Sequence, residues 1–109
     1  MRVIDVTVDI DAAFKALADP IRRSLLEALT KTEFYCHIDG EEVNGICVQD
    51  LSDMLELPQS TVSRHLAILR HAGLVGHLQK GVWHYYFCHT NVVRDIQAWL
   101  VSLMKQTAQ

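Results

Sequence analysis

The sequence predicts a mainly helical fold with a small β-wing, and three observations carry that reading. Four segments repeat apolar residues at helical spacing: Ile21/Leu25/Ala28/Leu29, Val48/Leu51/Leu55, Val62/Leu66/Leu69 and Val92/Ile96/Trp99/Leu103. Two β-prone runs, 74–78 and 82–88, flank Gln79-Lys80-Gly81. Start and stop signals fall where those patterns need them, Asp19-Pro20 before one helix and Gly73 after another. A length of 109 residues suits one domain, 1–109, with a single modest core. An apolar fraction of 50% is ample for folding and leaves surface for an oligomer.

Taken in order, Ala12 to Leu17 is a short helix with Asp11 or Asp9 as its cap. A second helix follows from Asp19-Pro20 to about Thr30, with Arg22 and Arg23 off its apolar stripe. Residues 34–38 are β-prone, and Asp39-Gly40 is a strong two-residue turn, so 34–44 forms a small hairpin excursion leading to a short strand near Ile46-Cys47. A third helix begins at Val48 and ends near Leu57-Pro58. Gln59 to Ala72 is a fourth, closed by Gly73 in the left-handed conformation. The hairpin at 74–88 and a last helix capped by Thr90 or Asn91 complete the chain. This order is that of a winged helix-turn-helix, with the helix-turn-helix at about 48–72 and the wing at about 74–88.

The charge pattern points to function. Residues 57–94 hold Arg64, Arg70, Lys80 and Arg94 and no Asp or Glu, although the whole chain has a net charge of -3. Five of its six histidines, His65, His71, His77, His84 and His89, fall in the same block. A surface that approaches a phosphate backbone must exclude carboxylates locally. On the fourth helix Val62, Leu66 and Leu69 share a narrow arc and face the core, with His65 on its border as a half-buried structural residue. Ser60, Ser63, Arg64, Ala67 and His71 occupy the opposite arc. Small side chains let a helix sit deep in the major groove, where Arg64 reaches a guanine edge or phosphate and Gln59 pairs with adenine.

The run Leu57-Pro-Gln-Ser-Thr-Val-Ser-Arg-His-Leu-Ala-Ile-Leu-Arg-His-Ala-Gly-Leu-Val75 resembles the ArsR/SmtB family of bacterial repressors. So do Ala18-Asp-Pro-Ile-Arg-Arg23 and the wing Gly81-Val-Trp-His-Tyr-Tyr-Phe87. The resemblance implies a homodimeric repressor that leaves operator DNA when an inducer binds, often a metal or metalloid ion. It places Gln59, Ser60, Ser63 and Arg64 against the bases, with Thr61 beside them; separately, the position of Lys80 at the wing tip makes a phosphate contact its expected role. The first and last helices, about 11–18 and 91–106, would build the dimer through Phe14, Val92, Ile96, Trp99, Leu100 and Leu103. Three features depart from the family. Cys47-Val48-Gln49-Asp50-Leu51 lacks the second cysteine of its metalloid motif, the last helix has no histidine after His89, and Val82 replaces a wing arginine.

Cys36, Cys47 and Cys88 are the groups from which a sensor could be built. Cys47 and Cys88 can lie in adjacent strands, with Cys36 on the inserted hairpin. Together they would suit a thiophilic metal or metalloid ion not required for folding, or a redox pair. They would equally serve as small hydrophobes in the core. The N-terminus has no basic-then-apolar signal pattern and no stretch is long enough for a membrane span, so a cytoplasmic chain with reduced thiols is expected. No nucleophile elbow, phosphate loop or metalloprotease motif marks an enzyme. The expected partners are double-stranded operator DNA and a second copy of the chain, with no membrane. The alternative is a winged helix used for protein interaction, because the fold alone does not impose DNA binding.

Overall fold

The computed structural model describes residues 10–31, 36–38, 41–43 and 45–105, with only the backbone for 36–38, 41–43 and 105. The elements run α1 (Ile10–Leu17), α2 (Pro20–Leu29), β1 (Cys36–Ile38), β2 (Glu41–Val43), β3 (Ile46–Cys47), α3 (Val48–Leu55), α4 (Gln59–His71), β4 (Val75–Lys80), β5 (Trp83–Cys88) and α5 (Thr90–Lys105). The winged helix-turn-helix order is the one expected.

Local chemistry fixes the helix ends. Asp19 Oδ1 accepts from the Ile21 N–H at 2.8 Å and from the Arg22 N–H at 3.3 Å, and Pro20 opens α2. Helix α1 already begins at Ile10, which places Asp11 within its first turn; Asp9 lies outside the described residues. Helix α5 begins at Thr90, so Thr90 and Asn91 belong to its first turn rather than capping it. At the other end of α4, Gly73 has φ 81°, and the Leu74 N–H reaches the Leu69 carbonyl at 3.0 Å. The chain then turns straight into the wing.

The sheet order is β3-β5-β4, all antiparallel, with β5 in the middle. Lys80 pairs with Trp83, leaving Gly81-Val82 as a two-residue loop. Gly81 has φ 60° and Val82 does not share the positive φ, as a type II′ hairpin turn requires. The turn therefore sits one residue later than Gln79-Lys80-Gly81, and Lys80 ends a strand instead of standing at the tip. At the base of edge strand β4, Gly76 faces Phe87, whose ring covers the glycine so closely that a Cβ there would lie 2.2 Å from two ring carbons. Strands β1 and β2 form the separate expected hairpin, with Cys36 opposite Val43; its Asp39-Gly40 turn lies outside the described residues.

The core joins α1 (Ala13, Ala16), α2 (Leu25, Ala28), α3 (Leu51), α4 (Val62, Leu66, Leu69), the sheet base (Ile46, Leu74, Val75) and α5 (Val92, Ile96). Helices α3 and α4 pack directly on one another and on α2. Their arrangement holds the outer face of α4 away from the body.

Candidate nucleic-acid interface

The turn between α3 and α4 is locked by backbone bonds. Glu56 takes the left-handed conformation at φ 54°, which lets the Leu57 N–H reach the Ser52 carbonyl at 3.1 Å. The Ser52 hydroxyl donates in return to the Leu57 carbonyl. Pro58 then leads into α4, whose first turn has no side-chain cap, so its N–H groups point outward unsatisfied by the helix itself.

Face by face, α4 matches the expectation. Val62, Leu66 and Leu69 are fully buried, while Gln59, Ser60, Ser63, Arg64, Ala67 and His71 are exposed. Thr61 is half-buried on the flank. His65 is more buried than its border position suggests, and its partner explains why. Arg22 Nη1 lies 3.2 Å from His65 Nδ1, and because a guanidinium only donates, Nδ1 accepts and the ring proton sits on Nε2.

Arg22 is the main feature that the sequence pattern missed. Its Nε donates to the Ala16 carbonyl at 2.6 Å and its Nη2 to the Lys15 carbonyl at 3.4 Å, while Arg23 donates to the Leu17 carbonyl at 2.7 Å. Two adjacent arginines thus cap the last turn of α1, where unsatisfied carbonyls and the helix dipole favour cations. Arg22 also pairs with Asp19 at 3.8 Å. Some loss of water pushes the Asp19 carboxyl up, but the Arg22 and Ile21 N–H bonds and the charge of Arg22 outweigh this and hold it below its ordinary range. One side chain therefore ties α1, the cap of α2 and the recognition-type helix together. The signal was present in sequence only as two arginines off the apolar stripe.

The wing shows two unlike faces. His77, Gln79, His84 and Tyr86 share one, and Leu78, Lys80 and Trp83 share the other. Lys80 is half-buried at the end of β4, and Val82, which is 84% exposed, forms the tip beside the exposed Trp83. His77 and His84 stack at 4.9 Å, and loss of water, then the charges of Arg70 and His84, hold His77 below its usual range.

Cys47 and Cys88 lie in adjacent strands, as expected, but they do not stand opposite each other. Cys47 stands opposite Tyr85, and Cys88 is three residues further along β5. An odd step sends the two side chains to opposite faces of the sheet, roughly 10 Å apart along the strand. Neither is in a disulfide, and burial pushes the Cys88 thiol above its ordinary range, making it a poor thiolate. The Cys36 side chain lies outside the described residues. Among the described residues no group of three or more His, Cys, Asp or Glu side chains is placed to hold a metal ion.

The dimer stripe on α5 divides in two. Val92 and Ile96 are only 7% and 8% exposed, covered by this chain's own core, and so are corrected from interface to interior. Trp99, Leu100 and Leu103 remain 46–48% exposed, joined by Val93 and Met104. Phe14 of α1 meets Trp99 edge-on at 5.5 Å, so both expected interface helices contribute to one apolar surface. No helix among the described residues is long and apolar enough to cross a membrane.

Together these elements define a winged helix-turn-helix of the DNA-binding class. Residues 43–76 match the model of the arsR family of bacterial regulatory proteins. The chain is 35% identical over 83 residues to an uncharacterized HTH-type transcriptional regulator of Methanocaldococcus jannaschii, covering 76% of this chain and 81% of that protein. It is 31% identical over 93 residues to the arsenical resistance operon repressor of Escherichia coli, covering 85% and 67%. A crystal structure of an ArsR family transcriptional regulator superposes with a TM-score of 0.73 at 19% identity, over 92% of this chain and 97% of the other. The homodimeric winged helix-turn-helix DNA-binding domain from Mycobacterium bovis gives 0.61 at 20% identity, over 92% and 82%. The chain belongs to the ArsR family and is a transcriptional regulator, not an enzyme.

Proposed function

We propose that the protein is a homodimeric repressor that reads operator DNA with α4 and is released by a small inducer. The observation that carries this reading is the outer face of α4. Gln59, Ser60, Ser63 and Arg64 stand exposed on it, α4 itself carries no Asp or Glu, and the turn before it is locked by Ser52 and Leu57. Arg64 is the guanine-reading or phosphate-reading group, Gln59 the adenine-reading one, and the uncapped first turn can take a phosphate oxygen. Lys80 supplies a sequence-independent phosphate contact from the wing. Repression is supported by the name of the E. coli relative, an operon repressor.

Dimerisation rests on Phe14, Trp99, Leu100 and Leu103, an apolar surface that a monomer would leave in water. A two-fold dimer sets two copies of α4 about 34 Å apart, one turn of DNA. For the inducer, Cys47 is the thiol best placed to act on α4, because it immediately precedes α3, which packs on that helix. Cys36 is the second thiol proposed for that sensor.

Selection of binding sites from a random duplex library tests the reading. An inverted repeat with half-sites one helical turn apart, lost on Arg64→Ala, is the expected result. Uniformly weak binding to all duplexes, with partner proteins retained instead, would favour an interaction module.

A further inference from the structure

We propose that the wing binds a first-row transition-metal ion, zinc(II), nickel(II) or copper(II), between Nε2 of His77 and Nδ1 of His84. These two nitrogens face each other at 2.6 Å, with the rings stacked 16° from parallel. The hairpin register produces this arrangement. His77 stands opposite Tyr86 and His84 opposite Gln79, so the imidazoles are diagonal neighbours on one face of the β4–β5 ladder.

Imidazole nitrogen binds such ions at about 2.0–2.1 Å. Two nitrogens around an ion would then be about 2.9 Å apart at the right angle of a square-planar or octahedral site and about 3.3 Å apart in a tetrahedral zinc site, roughly 0.3–0.7 Å more than here, which rotation of the two side chains supplies. In the hydrogen-bonded pair one ring donates its N–H to the other ring's lone pair. On binding, the donating ring passes that proton through water to its outer nitrogen. Both inner lone pairs are then free, both rings stay neutral, and no net proton is released.

The surroundings set the class of ion and its strength. Imidazoles with no carboxylate between residues 57 and 94 suit borderline transition ions rather than magnesium or calcium. The Tyr86 ring lies 5.1 Å from that of His77, and no third His, Cys, Asp or Glu joins the pair among the described residues, so water completes the coordination. The charge of Arg70 on α4 acts on His77 and opposes a cation. Cys88 shares the sheet face but is four residues from His84, roughly 13 Å along the strand, and is no third ligand. Two protein ligands make a site much weaker than a four-ligand structural centre.

The test is a titration of zinc chloride, and separately nickel chloride, into the full chain with reduced thiols. Imidazole nitrogen NMR signals and competition with a chelator provide the readouts. At one equivalent per chain the His77 and His84 signals should move together. His77→Gln and His84→Gln should each weaken binding by more than about tenfold, while the urea midpoint without metal stays unchanged. Joint replacement of Cys36, Cys47 and Cys88 by serine should leave the affinity intact. Ion-dependent shifts at other histidines only, wild-type affinity in both glutamine variants, or loss of binding with the cysteines would overturn the proposal. Should the cysteine variant fold poorly, the wild-type histidine signals decide.

Discussion

Replacing Arg22 by methionine is the most informative test of how the recognition helix is held. Methionine keeps an unbranched apolar stem but removes every donor. The loss comprises the 2.6 Å bond to the Ala16 carbonyl, the 3.2 Å bond to His65 Nδ1, the longer bond to Lys15 and the ion pair with Asp19. Only the first two are short and part-buried, and a hydrogen bond from a charged group contributes about 1.5–3 kcal/mol net. The longer bond and the 3.8 Å pair add little against solvent screening. Some water will reach the Ala16 carbonyl, so the expected destabilisation is about 2–4 kcal/mol, or roughly 10–25 °C in Tm for a domain of this size. Urea unfolding followed by tryptophan fluorescence measures it, at fixed protein concentration because the proposed dimer would make stability concentration-dependent. A cycle with His65→Gln should show coupling above about 0.5 kcal/mol, since the two side chains share a bond. A loss below about 0.5 kcal/mol, or strict additivity with His65, would refute the idea that Arg22 ties α1 to α4.

Four further outcomes are expected. Arg64→Ala should cost about 1–3 kcal/mol at particular base pairs, whereas Lys80→Ala should weaken all duplexes alike and lower the salt slope by about one; operator titrations at several salt concentrations separate them. Trp99→Glu should yield monomers in sedimentation at micromolar concentration, and an unchanged dimer would remove α5 from the interface. Glu56→Gly should raise stability by about 0.5–1 kcal/mol by relieving the left-handed backbone, with an unaltered urea midpoint counting against strain there. The folded Asp19 carboxyl lies below its unfolded value, so its contribution is present above the unfolded value and lost as pH falls through the folded one. Asp19→Asn should accordingly flatten the fall of urea midpoint in acid, and equal slopes in both proteins would discount the cap charge.

Much of the fold was legible because it depends on periodicity and punctuation. Val62, Leu66 and Leu69 could only be buried together, and Asp19-Pro20 and Gly73 mark helix ends by chemistry that acts within a few residues. Boundaries decided by hydrogen-bond register were less legible. The wing turn sits at Gly81-Val82 because Gly81 takes the positive φ that a type II′ turn requires at its first central position, and only the strand register shows which two residues form the loop. Arg22 was unreadable for a related reason. Its partners are backbone carbonyls of a preceding helix and a histidine 43 residues away, and neither leaves a pattern in the chain.

The α5 stripe and the cysteines show where a pattern leaves its target undetermined. An apolar stripe on α5 records only that the face meets something nonpolar. Its N-terminal half, Val92 and Ile96, meets this chain's own core, while Trp99, Leu100 and Leu103 emerge beyond the body. The division follows from length: α5 is 16 residues, about 24 Å, and the domain body covers only its first turns. For the cysteines the deciding quantity is parity. Adjacent strands were expected and found, yet Tyr85 rather than Cys88 stands opposite Cys47, and an odd offset turns proximity in topology into opposite faces. The same rule, with an even offset, aligned His77 and His84. In this wing the side chains set facing each other are the imidazoles of His77 and His84, on which the proposed metal ion would sit.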